Sequence, residues 1–276
     1  MSIKNVLVTY NGTESSNAAL QAAVLVQKKY GAHLTGILTQ CYQTPAAKNA
    51  QSWMPKAVFT TIAQLESEER ERIRQNFLTA TNSIDDDMRH WVAKRGDPSS
   101  TVADYSSLFD LTIIGRRDVL NNPDHLDLHP DKIALQSGKP VLVIPKDHQV
   151  DNLNDHAIIA WDGRRAACRA LSDAMNILET KKIVTILRIN TGSSENNLTD
   201  ISIEEILLRH GIRTKSVTLD TKGASVEKVM LNYLNSIDPT LLIMGAYEHS
   251  KFKRRSISPL SSSIIGNTKM TVFMSY

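Results

Sequence analysis

The chain repeats itself with a period close to half its length. "NVLVTYNGTESSNAALQAA" (residues 5–23) and "HAIIAWDGRRAACRALSDA" (156–174) align with Gly12 on Gly163, 151 residues apart, and the same alignment pairs Ala19 with Ala170, Leu20 with Leu171 and Ala23 with Ala174. Each copy is a β-rich run, a glycine turn and an alanine-rich segment with helical spacing, which is a strand–turn–helix unit. A second pair, "LTIIGRR" (111–117) and "LLIMGAY" (241–247), puts Gly115 on Gly245, 130 residues apart, and extends to "KPVLVIP" and "KMTVFMS" at the same offset. Two offsets require one insertion or deletion between the blocks, and the first half carries the extra residues. They are assigned to 42–95, where "IAQLESEERERIRQNFL" reads as a long charged helix. Such a period signals duplication of a whole domain and not a solenoid.

Within each half, strands alternate with helices. The runs "LTIIG" and "PVLVIP" are continuously apolar, as strands covered on both faces must be. The expected fold class is therefore α/β, with two tandem doubly wound parallel sheets whose ligands sit beyond the C-terminal strand ends, at the switch point. The polar stretch "KDHQVDNLNDH" (146–156) is the linker, which gives domains 1–147 and 155–276. The length of 276 residues suits two domains, and 41% hydrophobic with 22% charged residues fits a globular chain. A net charge of +3 is too slight to argue for nucleic acid. No leader pattern opens the chain, no apolar run approaches the ~20 residues of a membrane span, and Cys41 and Cys168 are isolated, so a cytoplasmic location is expected.

Taken in order, "IIAWDGRRAACRAL", "DPTLLIMGAYEHS" and "GKPVLVIP" resemble the opening strand with its Asp-Gly turn, the fourth strand with its glycine, and the closing strand of the universal stress protein family in its tandem form. The resemblance spans nearly the whole chain. It implies a five-stranded, Rossmann-like sheet of the adenine-nucleotide-binding type in each domain. It also implies pairing of the two domains into an internal pseudo-dimer and, as in some members, ATP or another adenine nucleotide at the strand ends.

In ATP-binding members the loop after strand four runs Gly, two residues, Gly, nine residues, Gly, then Ser or Thr. Here Gly245 holds the first position, Glu248 and Ser258 replace the later glycines, Pro259 stands at the Ser/Thr position, and Ser261 falls on a later hydroxyl position. Glu248 sets a carboxylate near phosphate charge, and Pro259 has no amide to donate. Lys251, Lys253, Arg254 and Arg255 supply cations, and Ser261, Ser262 and Ser263 can cap a helix or bind an anion. The first half departs further, with Asp118 in the second glycine's place and Asn11 where the family's nucleotide-contacting aspartate stands. The first domain is expected not to hold ATP. The second is expected to keep a worn pocket over Asp162, Gly163, Gly245, His249, Ser250, Ser261 and Ser262.

Each residue also has a structural reading. Asp162 can simply serve the turn before a helix, and the basic run can be a solvated loop. His125 and His129 sit four apart among aspartates, but Pro123 and Pro130 bracket the run and argue for a loop, so no metal is assigned. Cys168 is expected to be a buried, inert thiol in an amphipathic helix. No G-x-S-x-G elbow or spaced acid–base set is found, and no residue presents itself to position a hydrolytic water, so a non-enzymatic protein is expected, and the universal stress resemblance implies that its role is in the stress response. Three functions remain open: a small-molecule or anion receptor using the second domain, an interaction scaffold that binds no nucleotide, and weak ATP hydrolysis, which would require a metal and a positioned water. A homodimer beyond the internal pair also remains open, while membrane and nucleic-acid partners are not expected.

Overall fold

The computed structural model describes residues 3–40, 56–116, 128–146, 156–191, 201–237, 240–246 and 259–276. The first half contributes strands β1 (Asn5–Thr9), β2 (His33–Gln40), β3 (Arg89–Arg95), β4 (Leu111–Gly115) and β5 (Val141–Ile144). Its helices are α1 (Glu14–Tyr30), α2 (Lys56–Ala80), α3 (Pro98–Ser106) and α4 (Pro130–Ser137). The second half repeats the series with β6 (His156–Ala160), α5 (Arg165–Leu178), β7 (Ile183–Asn190), α6 (Ile203–Arg209), β8 (Thr214–Asp220), α7 (Val226–Ile237), β9 (Leu241–Gly245), α8 (Pro259–Asn267) and β10 (Thr271–Ser275). The extra length of the first half falls where the two offsets placed it: α2 has 25 residues and its counterpart α6 has 7.

Local sequence explains the boundaries. Thr13 caps α1 by accepting a hydrogen bond from the Ser16 N–H, and Gly31 closes that helix in the left-handed region at φ 57°. Ser202 and Glu205 form a reciprocal capping box at the start of α6. Pro130 occupies the first turn of α4, where a missing N–H leaves no bond unmade. The proline that argued for a loop therefore starts a helix, and His129 stands at its N-cap, outside the helix. His125 lies outside the described residues.

Each half is a parallel sheet in the order 3-2-1-4-5, so strand order reverses between β1 and β4, and again between β6 and β9. The two five-stranded units join into one sheet of ten strands through β5 and β10, which pair antiparallel with Val272 opposite Val143, Phe273 opposite Leu142 and Met274 opposite Val141. Two apolar layers cover this sheet. On one face α1, α2, α5 and α6 pack over Val8, Leu34, Ile113, Ile159, Ile243 and the fully buried Phe273. On the other, α3, α4, α7 and α8 pack over Leu7, Ile37, Val143, Ile158, Leu242 and Val272. Both layers run through the joint, so the closing strands are core rather than edge.

Polar contacts also cross the joint. The Arg116 guanidinium donates to the Thr268 carbonyl at the end of α8, and Arg169 on α5 donates to the Gly138 carbonyl at the end of α4, at 3.4 Å. Gly138 and Thr268 are themselves 130 residues apart, so the two acceptors are equivalent in the repeat although the two arginines are not. The Tyr30 hydroxyl donates to the Asn176 carbonyl at 3.3 Å.

Cys168 differs from expectation, because it is exposed. The buried stripe of α5 is Ala167, Ala170, Leu171, Ala174 and Leu178, and residue 168 turns away from it.

The second half carries a polar cluster with a pH signature. Arg188 on β7 pairs with Glu204 on α6 at 2.9 Å, and the Ser216 hydroxyl on β8 donates to the same carboxylate. Partial burial pushes the Glu204 carboxyl up, but the hydrogen bonds from Arg188 and Ser216, together with the guanidinium charge, outweigh that and hold it at about 2. A carboxyl depressed on folding stabilises the fold above its ordinary value and loses that contribution as pH falls toward the folded one. Glu204→Gln should therefore lower unfolding free energy by about 1–2 kcal/mol at pH 7, with the two proteins converging as pH falls from the model-compound value of 4.5 toward about 2. Urea midpoints measured across that range check it.

Candidate functional site

The two switch points lie where the first strand, the following helix and the fourth strand of each half meet. In the first half β1 ends at Thr9, the chain turns through Tyr10, Asn11 and Gly12, and α1 begins beside the tip of β4. The approach is close. A β-carbon on Gly115 would lie 2.1 Å from the Ser15 carbonyl oxygen and 2.5 Å from its carbon. Only glycine lets the strand tip and the helix start share that space. The Ser15 hydroxyl then donates to the Arg116 carbonyl at 2.7 Å, tying the two elements together.

Around this contact is a cavity of about 50 Å³, lined by Thr9, Tyr10, Asn11, Thr13, Ser15, Ser16, Ile37, Leu38, Thr39, Gly115 and Leu128. Six of these eleven side chains carry a hydroxyl, and none carries a charge at neutral pH. The turn is internally braced: the Thr13 hydroxyl donates to Asn11 Oδ1 at 2.7 Å, and the Ser16 hydroxyl donates to the Thr13 carbonyl at 2.9 Å. Tyr10 forms the back wall. It is buried and packs against Phe77 on α2 and Trp91 on β3, with ring centroids 6.1 and 6.4 Å away. Burial pushes its hydroxyl pKa up, with the Arg72 charge opposing, so the phenol is a neutral donor and acceptor. Gly36 makes room for this aromatic wall, since a β-carbon there would lie 2.6 Å from Phe77 and 2.8 Å from Trp91.

The second half builds the same corner from different side chains. Asp162 follows Trp161 at the end of β6. Its Oδ1 accepts the Arg164 N–H at 3.0 Å, and Oδ2 lies 4.0 Å from the same residue's guanidinium. This is an Asp turn closed by Gly163 in the left-handed region at φ 68°. Gly245 ends β9 against α5, where a β-carbon would meet the Ala166 carbon and β-carbon at 2.6 Å and the Ala167 nitrogen at 2.9 Å. Helix packing alone thus requires glycine at Gly245. The turn and strand tip bring Asp162, Gly163 and Gly245 into one corner, because β6 and β9 are paired neighbours. Ser261 sits in the first turn of α8 and is fully buried. The backbone of Ser262 belongs to the same helix, while its side chain, His249, Ser250 and the basic run 251–255 lie outside the described residues.

The hydroxyl-rich corner is in the half expected not to hold ATP, and the sequence carried a sign of it. "NGTESS" offers Thr13, Ser15 and Ser16 at the helix start, where the second copy, "DGRRAA", has Arg164, Ala166 and Ala167. The glycine pattern after strand four does not reveal these hydroxyls, which belong to the turn after strand one. No group of three or more metal-ligating side chains occurs among the described residues, and no helix among them is long and apolar enough to cross a membrane.

No family model matches the chain, and no curated protein does. Solved structures do match it over its whole length. A universal stress protein from Archaeoglobus fulgidus DSM 4304 superimposes with a TM-score of 0.76 at 16% identity, covering 100% of this chain and 99% of that one. This chain has the tandem universal stress protein fold. A functionally unknown protein from Pseudomonas aeruginosa PAO1 shares the architecture at a TM-score of 0.57 and 12% identity, over 99% of this chain and 92% of that one. At such identities the likeness is one of fold.

The glycine contacts give a direct test. Gly115→Ala drives a β-carbon into the α1 backbone and should destabilise by about 3 kcal/mol or more, with Gly245→Ala costing somewhat less. Denaturant unfolding of the two variants checks both the size and the order.

Proposed function

We propose that this chain is a non-enzymatic stress-response protein of the universal stress type, acting as a receptor for a small polar molecule at its strand tips. Residues 1–147 and 155–276 serve as its two domains, paired internally through β5 and β10. The observation that carries this reading is the hydroxyl-lined cavity at the β1/β4 switch point. Switch-point clefts are where doubly wound sheets take ligands. The lining of Thr9, Tyr10, Asn11, Thr13, Ser15, Ser16 and Thr39 offers neutral donors and acceptors in quantity. Among the described residues its lining holds no carboxylate, imidazole or thiol to act as a base or nucleophile, which supports binding over catalysis. At about 50 Å³ it is far below the ~300 Å³ of a typical ligand pocket, so it suits a small polyol-like molecule or one group of a larger ligand.

A second reading keeps an adenine nucleotide, or another anion, at the second half. Asp162 supports it: the side chain sits at the strand tip at 30% exposure, where the universal stress resemblance implies a contact with the base. In this reading Gly163 and Gly245 shape the corner, and His249, Ser250, Ser261 and Ser262 donate to the charged end. The flanking cations Lys251, Lys253, Arg254 and Arg255 offset the loss of loop glycines.

Calorimetric titration with ATP, ADP, AMP and a panel of small polyols separates these readings. Thr39→Val removes one hydroxyl from the first cavity and should weaken a ligand there about 3–10-fold, the loss of a single hydrogen bond. Asp162→Ala should weaken only a nucleotide at the second half. No heat from any ligand with the folded protein overturns both and leaves the interaction scaffold.

A further inference from the structure

At the end of the sheet opposite the strand-tip clefts, two histidines meet across neighbouring strands. His33 opens β2, and His90 is the second residue of β3. Thr35 is in register with His90, so His33 lies diagonally across from it on the same face of the sheet. Both residues are exposed. The Nδ1 of His33 is 3.2 Å from the Nε2 of His90, with ring centroids 5.5 Å apart and planes within 17°. The centroid separation exceeds the nitrogen separation by about two ring radii. Both nitrogens therefore lie on the line joining the rings, and the rings are nearly coplanar. One ring's N–H donates to the other's lone pair.

We propose that this pair is a binding site for Zn²⁺, with His33 Nδ1 and His90 Nε2 as ligands and water in the remaining positions. Two nitrogens at ~2.0–2.1 Å from a tetrahedral ion stand about 3.3–3.4 Å apart. The two ring nitrogens already stand 3.2 Å apart on adjacent paired strands, close to that separation. What changes is ring direction, since the lone pairs must turn from facing each other to converging on a shared apex. Exposed side chains have the freedom to do so. The proton balance closes within the pair: the bridging proton passes through solvent to the outer nitrogen of its own ring, leaving two neutral imidazoles that each present a lone pair to the ion. The guanidinium beside His90 in sequence does not oppose a cation. Arg89 is the strand neighbour of His90 on the other face, where it donates to the Leu78 carbonyl at 2.9 Å and pairs with Asp86. With no third protein ligand grouped there among the described residues, the site is open and its affinity modest.

Zn²⁺ titrated calorimetrically into the full chain near neutral pH should bind one to one in the micromolar range, and His33→Ala and His90→Ala should each weaken it about tenfold or more. His129→Ala, at the N-cap of α4, should leave it unchanged. Zn²⁺ should also raise the melting temperature of the parent protein but of neither weakened variant, because an ion bridging two strands binds only the folded state. Nitrogen-15 spectra of the parent protein's imidazoles provide a check that needs no variant: Zn²⁺ should shift one ring at Nδ1 and another at Nε2. Unchanged affinity in either variant, no binding by the parent protein up to about 1 mM Zn²⁺, or no paired imidazole shift each overturns the site.

Discussion

The antiparallel ladder between β5 and β10 is the contact on which the molecule's organisation rests. Closing strands that read "PVLVIP" and "MTVFMS" are apolar on both faces, and an open edge of that kind invites aggregation. Pairing them with each other satisfies both edges at once and merges two five-stranded sheets into one. The strands left at the outer edges, β3 and β8, are largely exposed and carry Arg, His, Lys and Asp, which suits them to water. The ladder also fixes where the two clefts lie, because each switch point is a set number of strands from the joint.

The two clefts have diverged around a shared steric constraint. In both, the fourth strand stops on a glycine because a helix start occupies the space a β-carbon would need. That requirement is independent of ligand chemistry, so Gly115 and Gly245 are accounted for by packing alone. The side chains around the two glycines are free to differ, and they do. One corner is lined with hydroxyls and backed by aromatic rings, while the other sets an Asp turn and Arg164 beside a helix start of Ala166 and Ala167 packed on Gly245.

The repeat made the architecture legible from the sequence. Two glycine-centred alignments at different offsets specified a duplication, the half that carries the insertion, and a long helix within it. Continuous apolar runs specified buried parallel strands. Proline was harder to read: Pro130 breaks a helix internally but starts one at the first turn, and nothing in "HPDKIALQS" separates the two cases without the packing of Ile133 and Ala134. Cys168 failed for a different reason, since a small shift in helical phase decides whether a residue beside an alanine stripe is covered. The site was only half legible. Asp162, Gly163 and Gly245 lie at one strand-tip corner because β6 and β9 are neighbours, and "NGTESS" supplies part of the other corner, but the cavity among Thr9, Tyr10 and Thr39 also depends on strand ends that are distant in the chain converging.

The arginines that cross the joint carry a further consequence. Arg116 and Arg169 serve equivalent carbonyls, Thr268 and Gly138, from unrelated places in the repeat. In a pair of identical chains related by a two-fold axis, every substitution enters twice, so a residue that suits one side of the interface is imposed on the other. A covalently joined pair is released from that rule. Each half can acquire its own solution to a shared geometric problem, and with it a separate chemistry at its own tip, while the partner is held close by the chain itself.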